Sequence, residues 1–241
     1  MRATTMRATP TARTADWLIP AGLALLSLVP DAAATARLAE LAKGAAITAA
    51  NARFFAMPLP VVLHLLSVIP FSLIGAFQFV PALRRRHHGW HRAAGRVLVV
   101  LGLVVALSGL WMTLAYPWPA GDGAVLYAER LVVGTAMLFS IILGVDAIRR
   151  RDFAAHGAWM TRAYAIGMGA GTQVLTHLPY FILVGKPTVP ARAVMMGAGW
   201  VINVVVAELV IRRRSSGHGV VRQMPSSTHM AQTALSAPRE G

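Results

Sequence analysis

Two histidines occupy matching positions in two long apolar segments of the chain. His64 lies about six residues into segment 58–83, and His177 lies about seven residues before the end of segment 158–184. At about 1.5 Å per residue, helices would place both side chains roughly 10 Å from the same end of a bundle. Two neutral imidazoles at one level are the arrangement that a b-type haem iron requires. We therefore consider haem ligation by His64 and His177. The alternatives are two structural histidines that hydrogen-bond nearby polar groups, or histidines that handle a proton or a substrate.

Histidine and arginine also gather beside two arginine runs, Arg84–Arg86 and Arg149–Arg151. His91 and His156 each follow the last arginine of a run by five positions, and the two blocks are 65 residues apart. Together with charged and aromatic side chains near the same ends of the apolar segments, they form what we call the inner cluster: His91, Arg92, Arg96, His156, Trp159, Arg162 and Glu208. The cluster is either an anion or proton site with the arginines as counter-charges, or an anchor for lipid phosphates.

Composition limits other metal and redox chemistry. The chain has no cysteine, which excludes disulfides, thiolate-bound iron–sulfur clusters and covalently attached c-type haem. His87, His88 and His91 resemble a zinc cluster, but Gly89 interrupts a helix there and no carboxylate lies in the run. We therefore assign no metal ligand, and we do not favour a second haem at His91 and His156.

The elements that must position these residues are membrane-spanning helices. Of the 241 residues, 56% are hydrophobic and only 13% are charged, whereas soluble domains carry roughly 25% charged residues. A helical span needs about 20 mainly apolar residues, and six segments fit or nearly fit: 17–36, 58–83, 93–116, 124–148, 158–184 and 193–211. We expect an all-α integral membrane bundle of about six transmembrane helices over residues 16–214. Both tails, 1–15 and 215–241, are polar and are predicted to be disordered.

The distribution of Lys and Arg predicts the orientation. Three arginine runs, the third being Arg212–Arg214, end apolar segments, and 17 of the 23 Lys and Arg residues fall on the side of the runs and both termini. Cytoplasmic loops accumulate these residues, so both termini are predicted to be cytoplasmic. The first segment also fits a cleavable signal peptide, which would leave five spans. The net charge of +14 lies in short clusters, so we expect the lipid bilayer and its anionic headgroups as partners, and no nucleic acid.

A few residues within the apolar segments predict how the helices pack. Gly167 and Gly171 form a small-xxx-small pair that favours close helix approach, and Asn203 is expected to hydrogen-bond a neighbouring helix. Pro70 and Pro179 are the candidates for discontinuous helices, the feature that marks binding sites in transporters. The alternative is that each proline only kinks a continuous helix whose freed carbonyl group is satisfied by neighbouring residues.

Four short motifs resemble those of a bacterial membrane-protein family called domain of unknown function 2306. The two most specific are residues 91–96, a His-Arg-x-x-Gly pattern, and residues 156–162, a His-x-x-Trp-Met-x-Arg pattern; residues 75–79 and 108–112 are also similar. The resemblance covers roughly residues 15–214. It implies a multi-pass protein of the bacterial plasma (inner) membrane with an uncleaved first helix, and it implies no activity.

Three functions remain open at this point. The first is membrane redox chemistry with haem b held by His64 and His177. The second is a small-molecule or proton-coupled transporter, or a lipid-interacting module, that uses the inner cluster. The third is a membrane scaffold or assembly factor. The sequence leaves open whether the protein is an enzyme.

Overall fold

Helices account for the secondary structure of the described chain. The structure, a computed structural model, describes the backbone of residues 10–222 and the side chains of residues 17–216. Within residues 10–222 the chain forms nine helices and no strand: α1 Pro10–Lys43, α2 Ala52–Ala56, α3 Pro58–Phe77, α4 Pro81–Arg86, α5 His88–Ala115, α6 Ala124–Arg149, α7 Phe153–Gly167, α8 Gly169–Leu183 and α9 Val189–Arg222. The predicted all-α class is therefore confirmed.

Five helices of the described chain are long and apolar enough to cross a membrane: Trp17–Lys43, Pro58–Phe77, His88–Ala115, Ala124–Arg149 and Val189–Ser216. The predicted segment 158–184 instead forms α7 and α8, each with 15 residues. A helix of that length spans about 22 Å, which is less than the roughly 30 Å hydrocarbon core. The six predicted spans thus become five long helices and one broken pair.

Several predicted boundaries differ from the helix ends. The predicted second span, 58–83, ends as a helix at Phe77 because Pro81 favours an extended residue before it, and Val80 has φ −80° and ψ 108°. Helices α1 and α9 extend into the ranges predicted as disordered tails. The rest of those predicted tails, residues 1–9 and 223–241, lies outside the described residues.

The bundle has two ends, which we name by their residues. Helix α3 packs between α1 and α5, α6 packs on α5 and α7, and α9 packs on α7 and α8. The arginine-run end contains residues 84–91, 149–156 and 208–214. The opposite end contains residues 37–57, 116–130 and 186–192. A buried core that includes Phe71, Val105, Met137, Ile141 and Tyr164 lies between them.

Glycines surround the break between α7 and α8 because three helices approach it closely. A methyl group on Gly167 would lie 2.7 Å from the Phe71 ring, one on Gly169 would overlap the Trp200 ring, and one on Gly171 would overlap the carbonyl oxygen of Leu26. The prediction of close helix approach at Gly167 and Gly171 is therefore confirmed. Of the two alternatives for Pro70 and Pro179, a helix break is wrong, since α3 and α8 continue through both prolines.

Asn203 of α9 spans the break with two hydrogen bonds. Its Nδ2 donates to the Ala165 carbonyl oxygen in α7 at 3.0 Å, and its Oδ1 accepts from Thr172 Oγ1 in α8 at 2.7 Å. A broken helix leaves carbonyl groups without their usual partners, and neighbouring side chains must satisfy them in a membrane. The predicted inter-helix role of Asn203 is confirmed, and the contacts show why it is needed.

We expect Gly171→Ala to lower the free energy of unfolding by about 1–3 kcal/mol, because overpacking forces helix displacement. Gly157→Ala is the matched control, since a methyl group on Gly157 meets nothing within 4 Å. Unfolding by SDS titration measures both. Equal stability of the two variants would contradict the close packing at Gly171.

Candidate functional site

Two adjoining chambers, both partly open to the outside, lie between the helices toward the opposite end. The narrow chamber, about 330 Å³, lies chiefly among α5, α6 and the broken pair. The wide chamber, about 460 Å³, lies among α1, α3 and the broken pair. The two share the residues where they meet: Arg53, Phe54, His64, Val68, Met112, Gly167 and Ala170. The break beside Gly167 therefore forms part of the wall of both chambers.

His64 is held at the wall between the chambers by helix α5. Its Nδ1 is 3.1 Å from the Val105 carbonyl oxygen and 3.1 Å from Ser108 Oγ. Ser108 Oγ donates its own proton to the Val104 carbonyl oxygen at 2.5 Å, so it accepts at Nδ1. The proton of the neutral ring is thus assigned to Nδ1. Nε2 remains an acceptor with no hydrogen-bond partner among the described residues.

His177 is placed differently, and the structure does not support haem ligation by the predicted pair. His64 lines both chambers, whereas His177 lines neither. The Nδ1 of His177 bonds the Gln173 carbonyl oxygen of its own helix at 2.7 Å, and its Nε2 is buried with no hydrogen-bond partner among the described residues. Within the described residues no group of three or more His, Cys, Asp or Glu residues could hold a metal ion.

Arginines surround the chambers at the opposite end. Asp122, whose side chain is 3% exposed, contacts Arg130 Nη1 at 2.6 Å and Arg192 Nε at 2.7 Å. Arg53 lies with its guanidinium 4.6 Å from the centre of the Phe54 ring, and Arg37 lies 4.9 Å from the same ring. Burial lowers the pKa of Arg53, which is thus partly desolvated but, as an arginine, stays charged at physiological pH.

The Phe54 ring is fixed by its neighbours. It packs edge-on against Tyr116 with ring centroids 5.6 Å apart, and the Tyr116 hydroxyl donates to the Met57 carbonyl oxygen at 2.7 Å. Burial also raises the pKa of Tyr116, so this hydroxyl stays protonated. The short helix α2 and the end of α5 are therefore joined, and they hold Arg53 beside the chambers.

The inner cluster is only partly assembled at the arginine-run end. Arg162 in α7 binds Glu208 in α9 through two contacts, Nε–Oε1 at 2.5 Å and Nη2–Oε2 at 3.0 Å, and its guanidinium lies 4.6 Å from the Trp159 ring centre. His156 Nδ1 bonds the Gly144 carbonyl oxygen at 2.8 Å. These contacts join α6, α7 and α9.

The remaining members of the inner cluster lie apart from the Arg162–Glu208 pair. His91 lies near enough to His156 to interact electrostatically, and within residues 17–216 its buried Nδ1 has no hydrogen-bond partner. Arg92 and Arg96 are exposed on the surface of α5 and are not paired with a carboxylate within the described chain. The sequence interpretation of one mixed-charge site thus resolves into an ion pair, a histidine pair and two outward arginines.

Sequence reasoning missed the residues at the opposite end. Arg53 lies in α2, Arg130 in α6 and Arg192 in α9. Asp122 lies in the connection between α5 and α6, so the four residues are far apart in the chain. The available signal was the position of these arginines on the side that positive residues normally avoid.

Comparison with known families identifies the chain. A family model described as "Predicted membrane protein (DUF2306)" matches residues 61–211, more than half of the chain. The chain belongs to this family. The matched range of this DUF2306 member includes His64, Asp122, Arg130 and Arg192, whereas α1 and Arg53 lie before it. Comparison with curated proteins and with solved structures gave no match.

A double-mutant cycle tests the ion pair of α7 and α9. We expect Arg162→Gln and Glu208→Gln to be coupled by about 1 kcal/mol in the free energy of unfolding, because removing either partner leaves a charge with only partial access to water. The side chains are 27% and 33% exposed.

The exposed pair of Asp146 and Arg150 is the control, with side chains 49% and 70% exposed. Its expected coupling is about 0.3–0.5 kcal/mol. A coupling at Arg162–Glu208 no larger than this would show that the pair does not join the helices.

Proposed function

We propose that this membrane protein binds a small molecule with an apolar body and one polar end inside the two chambers. The observation that carries the proposal is the pair of adjoining, partly open chambers, which share lining residues with each other and with an interrupted helix. Ligand sites of proteins are concave, mainly apolar and roughly 300–1,000 Å³. Both chambers lie in that range, at about 330 Å³ and about 460 Å³.

The broken pair α7–α8 supports the same proposal. Non-helical backbone within a membrane is tolerated where it lines a cavity or is buried in protein. In transporters, discontinuous helices contribute backbone groups to a site near the middle of the membrane. Here Gly167 and Ala170 flank the break and line both chambers, so the interruption has a direct relation to the proposed site.

The inner cluster is a weaker candidate for the site. Arg162 and Glu208 neutralise each other through two contacts, which leaves neither charge free for a ligand. An ion pair that joins two helices is a sufficient role for both residues. We therefore place binding at the chambers rather than at the arginine-run end.

Filling the junction of the chambers tests the proposal. Ala170→Phe is expected to abolish saturable binding, because Ala170 lines both chambers and faces open space. Leu175→Phe is the control on the same helix, since Leu175 is 59% exposed and lines neither chamber. The probes are octanol, octanoate and octylamine, measured by calorimetry on the full chain in phosphatidylcholine nanodiscs, with empty nanodiscs as reference.

The proposal expects at least one probe to bind the native protein saturably and to retain its affinity in Leu175→Phe. It is wrong if no probe binds above the empty nanodiscs, or if Ala170→Phe binds as tightly as the native protein.

We further propose that the arginine-run end faces the cytoplasm of a bacterial inner membrane. Three arginine runs at this end support that orientation. The exposed Arg92 and Arg96, which lie four residues apart on one face of α5, are suited to contact anionic headgroups.

The orientation has a direct test because the chain lacks cysteine. A membrane-impermeant maleimide added to intact cells is expected to label Ala120→Cys, in the loop between α5 and α6. It should label Ser216→Cys only after lysis, because that residue lies at the arginine-run end. Both positions are exposed, and the native chain is the unlabelled control. The reverse pattern would invert the proposed topology.

A further inference from the structure

The opposite end, as defined above, contains six basic and three acidic residues, and the arginines beside the chambers indicate the chemistry of the ligand. Four arginines lie there beside the chambers: Arg37, Arg53, Arg130 and Arg192. Two carboxylates pair with three of them, since Glu40 binds Arg37 and Asp122 binds both Arg130 and Arg192. Arg53 has no ion pair and no hydrogen bond from its guanidinium within the described residues. The Arg53 guanidinium contacts the Phe54 ring instead.

Asp122 does not form an ion pair with Arg53, because both of its carboxylate oxygens contact other arginines. Its Oδ2 contacts Arg130 and its Oδ1 contacts Arg192, and only 3% of the side chain is exposed. The attraction between Asp122 and Arg53 is therefore a longer-range one, without a direct bond. A guanidinium that is partly desolvated and lacks a carboxylate is a strong site for an added anion.

The position of Arg53 places that anion at the junction of the chambers. Arg53 and Phe54 line both chambers, and the cation–π contact leaves the guanidinium N–H groups available as donors. We infer that the polar end of the ligand is an anion of the carboxylate or phosphate class, and that Arg53 binds it. This inference rests on the proposed function, because it names the class of molecule that the chambers take.

Polar groups deeper in the chambers fix the direction in which the ligand lies. His64 presents an unprotonated Nε2, which accepts hydrogen bonds and does not attract an anion. The Asp31 carboxylate, which accepts from Ser72 Oγ at 2.9 Å, lines the wide chamber. Asp31 precedes Arg37 by six residues in α1, which is about 9 Å farther from the opposite end. The anionic end therefore stays at Arg53 and the apolar body extends toward Val68 and Met112.

Arg53→Gln tests the inference in the nanodisc assay described above, with octyl phosphate added to the probes. The native protein is expected to bind octanoate or octyl phosphate at least about ten-fold more tightly than octanol or octylamine. Arg53→Gln should remove that preference while octanol binding is unchanged, and Arg53→Lys should restore part of it. Arg149→Gln is the control, because Arg149 is an exposed arginine at the other end of the bundle.

The outcomes separate this inference from the proposed function. If octanol, octanoate, octyl phosphate and octylamine bind equally, or if octylamine binds most tightly, the chambers bind ligands but the anion inference is wrong. An unchanged octanoate preference in Arg53→Gln also overturns it. If no probe binds, the proposed function itself fails.

A second arm identifies the source of the anion. Nanodiscs with phosphatidylglycerol replace those with phosphatidylcholine alone, and the apparent affinity for octanoate is measured again. Weaker octanoate binding in the native protein, with no such change in Arg53→Gln, supports a bilayer phospholipid as the occupant at Arg53. Unchanged octanoate binding supports a free amphipathic anion at the same residue.

Discussion

Hydrocarbon offers no hydrogen bonds to an interrupted helix, and the fold of this protein depends on how it meets that constraint at Met168. The α7–α8 break is stabilised by Asn203, which hydrogen-bonds the Ala165 carbonyl group on the α7 side and the Thr172 side chain on the α8 side. Glycines on both sides let Phe71, Trp200 and the backbone of Leu26 come close. Three neighbouring helices thus cover the break, except where its residues line the chambers. The packing around the break therefore stabilises the bundle, and the residues of the break also line a cavity.

The charged side chains are paired differently at the two ends of the bundle. At the arginine-run end, Arg162 and Glu208 satisfy each other and join α7 to α9. At the opposite end, Asp122 binds two arginines, and Arg53 has no carboxylate partner in the part of the chain that the structure describes. Buried or partly buried charges are costly without partners. An unpaired cation beside a cavity therefore indicates a ligand more strongly than a paired cation does.

The sequence predicted the elements well where the physical signal was continuous. The apolar segments located α6 to within one residue and α5 to within five, whereas α9 continues eleven residues past its predicted end. The family match agrees with the motifs at 91–96 and 156–162. The break between α7 and α8 was not predictable from the prolines, which were only candidates for it. Pro179 lies in a continuous helix, whereas the interruption depends on glycines whose packing partners lie in α1, α3 and α9. No single-sequence pattern connects those residues.

The site was predictable only in part. His64 was identified as an unusual intramembrane side chain, and it does line both chambers, but its proposed partner His177 does not. Of the six basic residues on the sparsely charged side, four arginines meet around Phe54 and Asp122. In the sequence, each of these arginines is an isolated basic residue on the side where Lys and Arg are sparse. Only the tertiary fold brings them together.

Native mass spectrometry of the full chain released from nanodiscs tests the central claim most directly. The account predicts that the native protein retains a small molecule of defined mass, and that Ala170→Phe loses it while remaining folded. A native protein that carries no such molecule, or an adduct that persists unchanged in Ala170→Phe, would contradict a ligand site in these chambers.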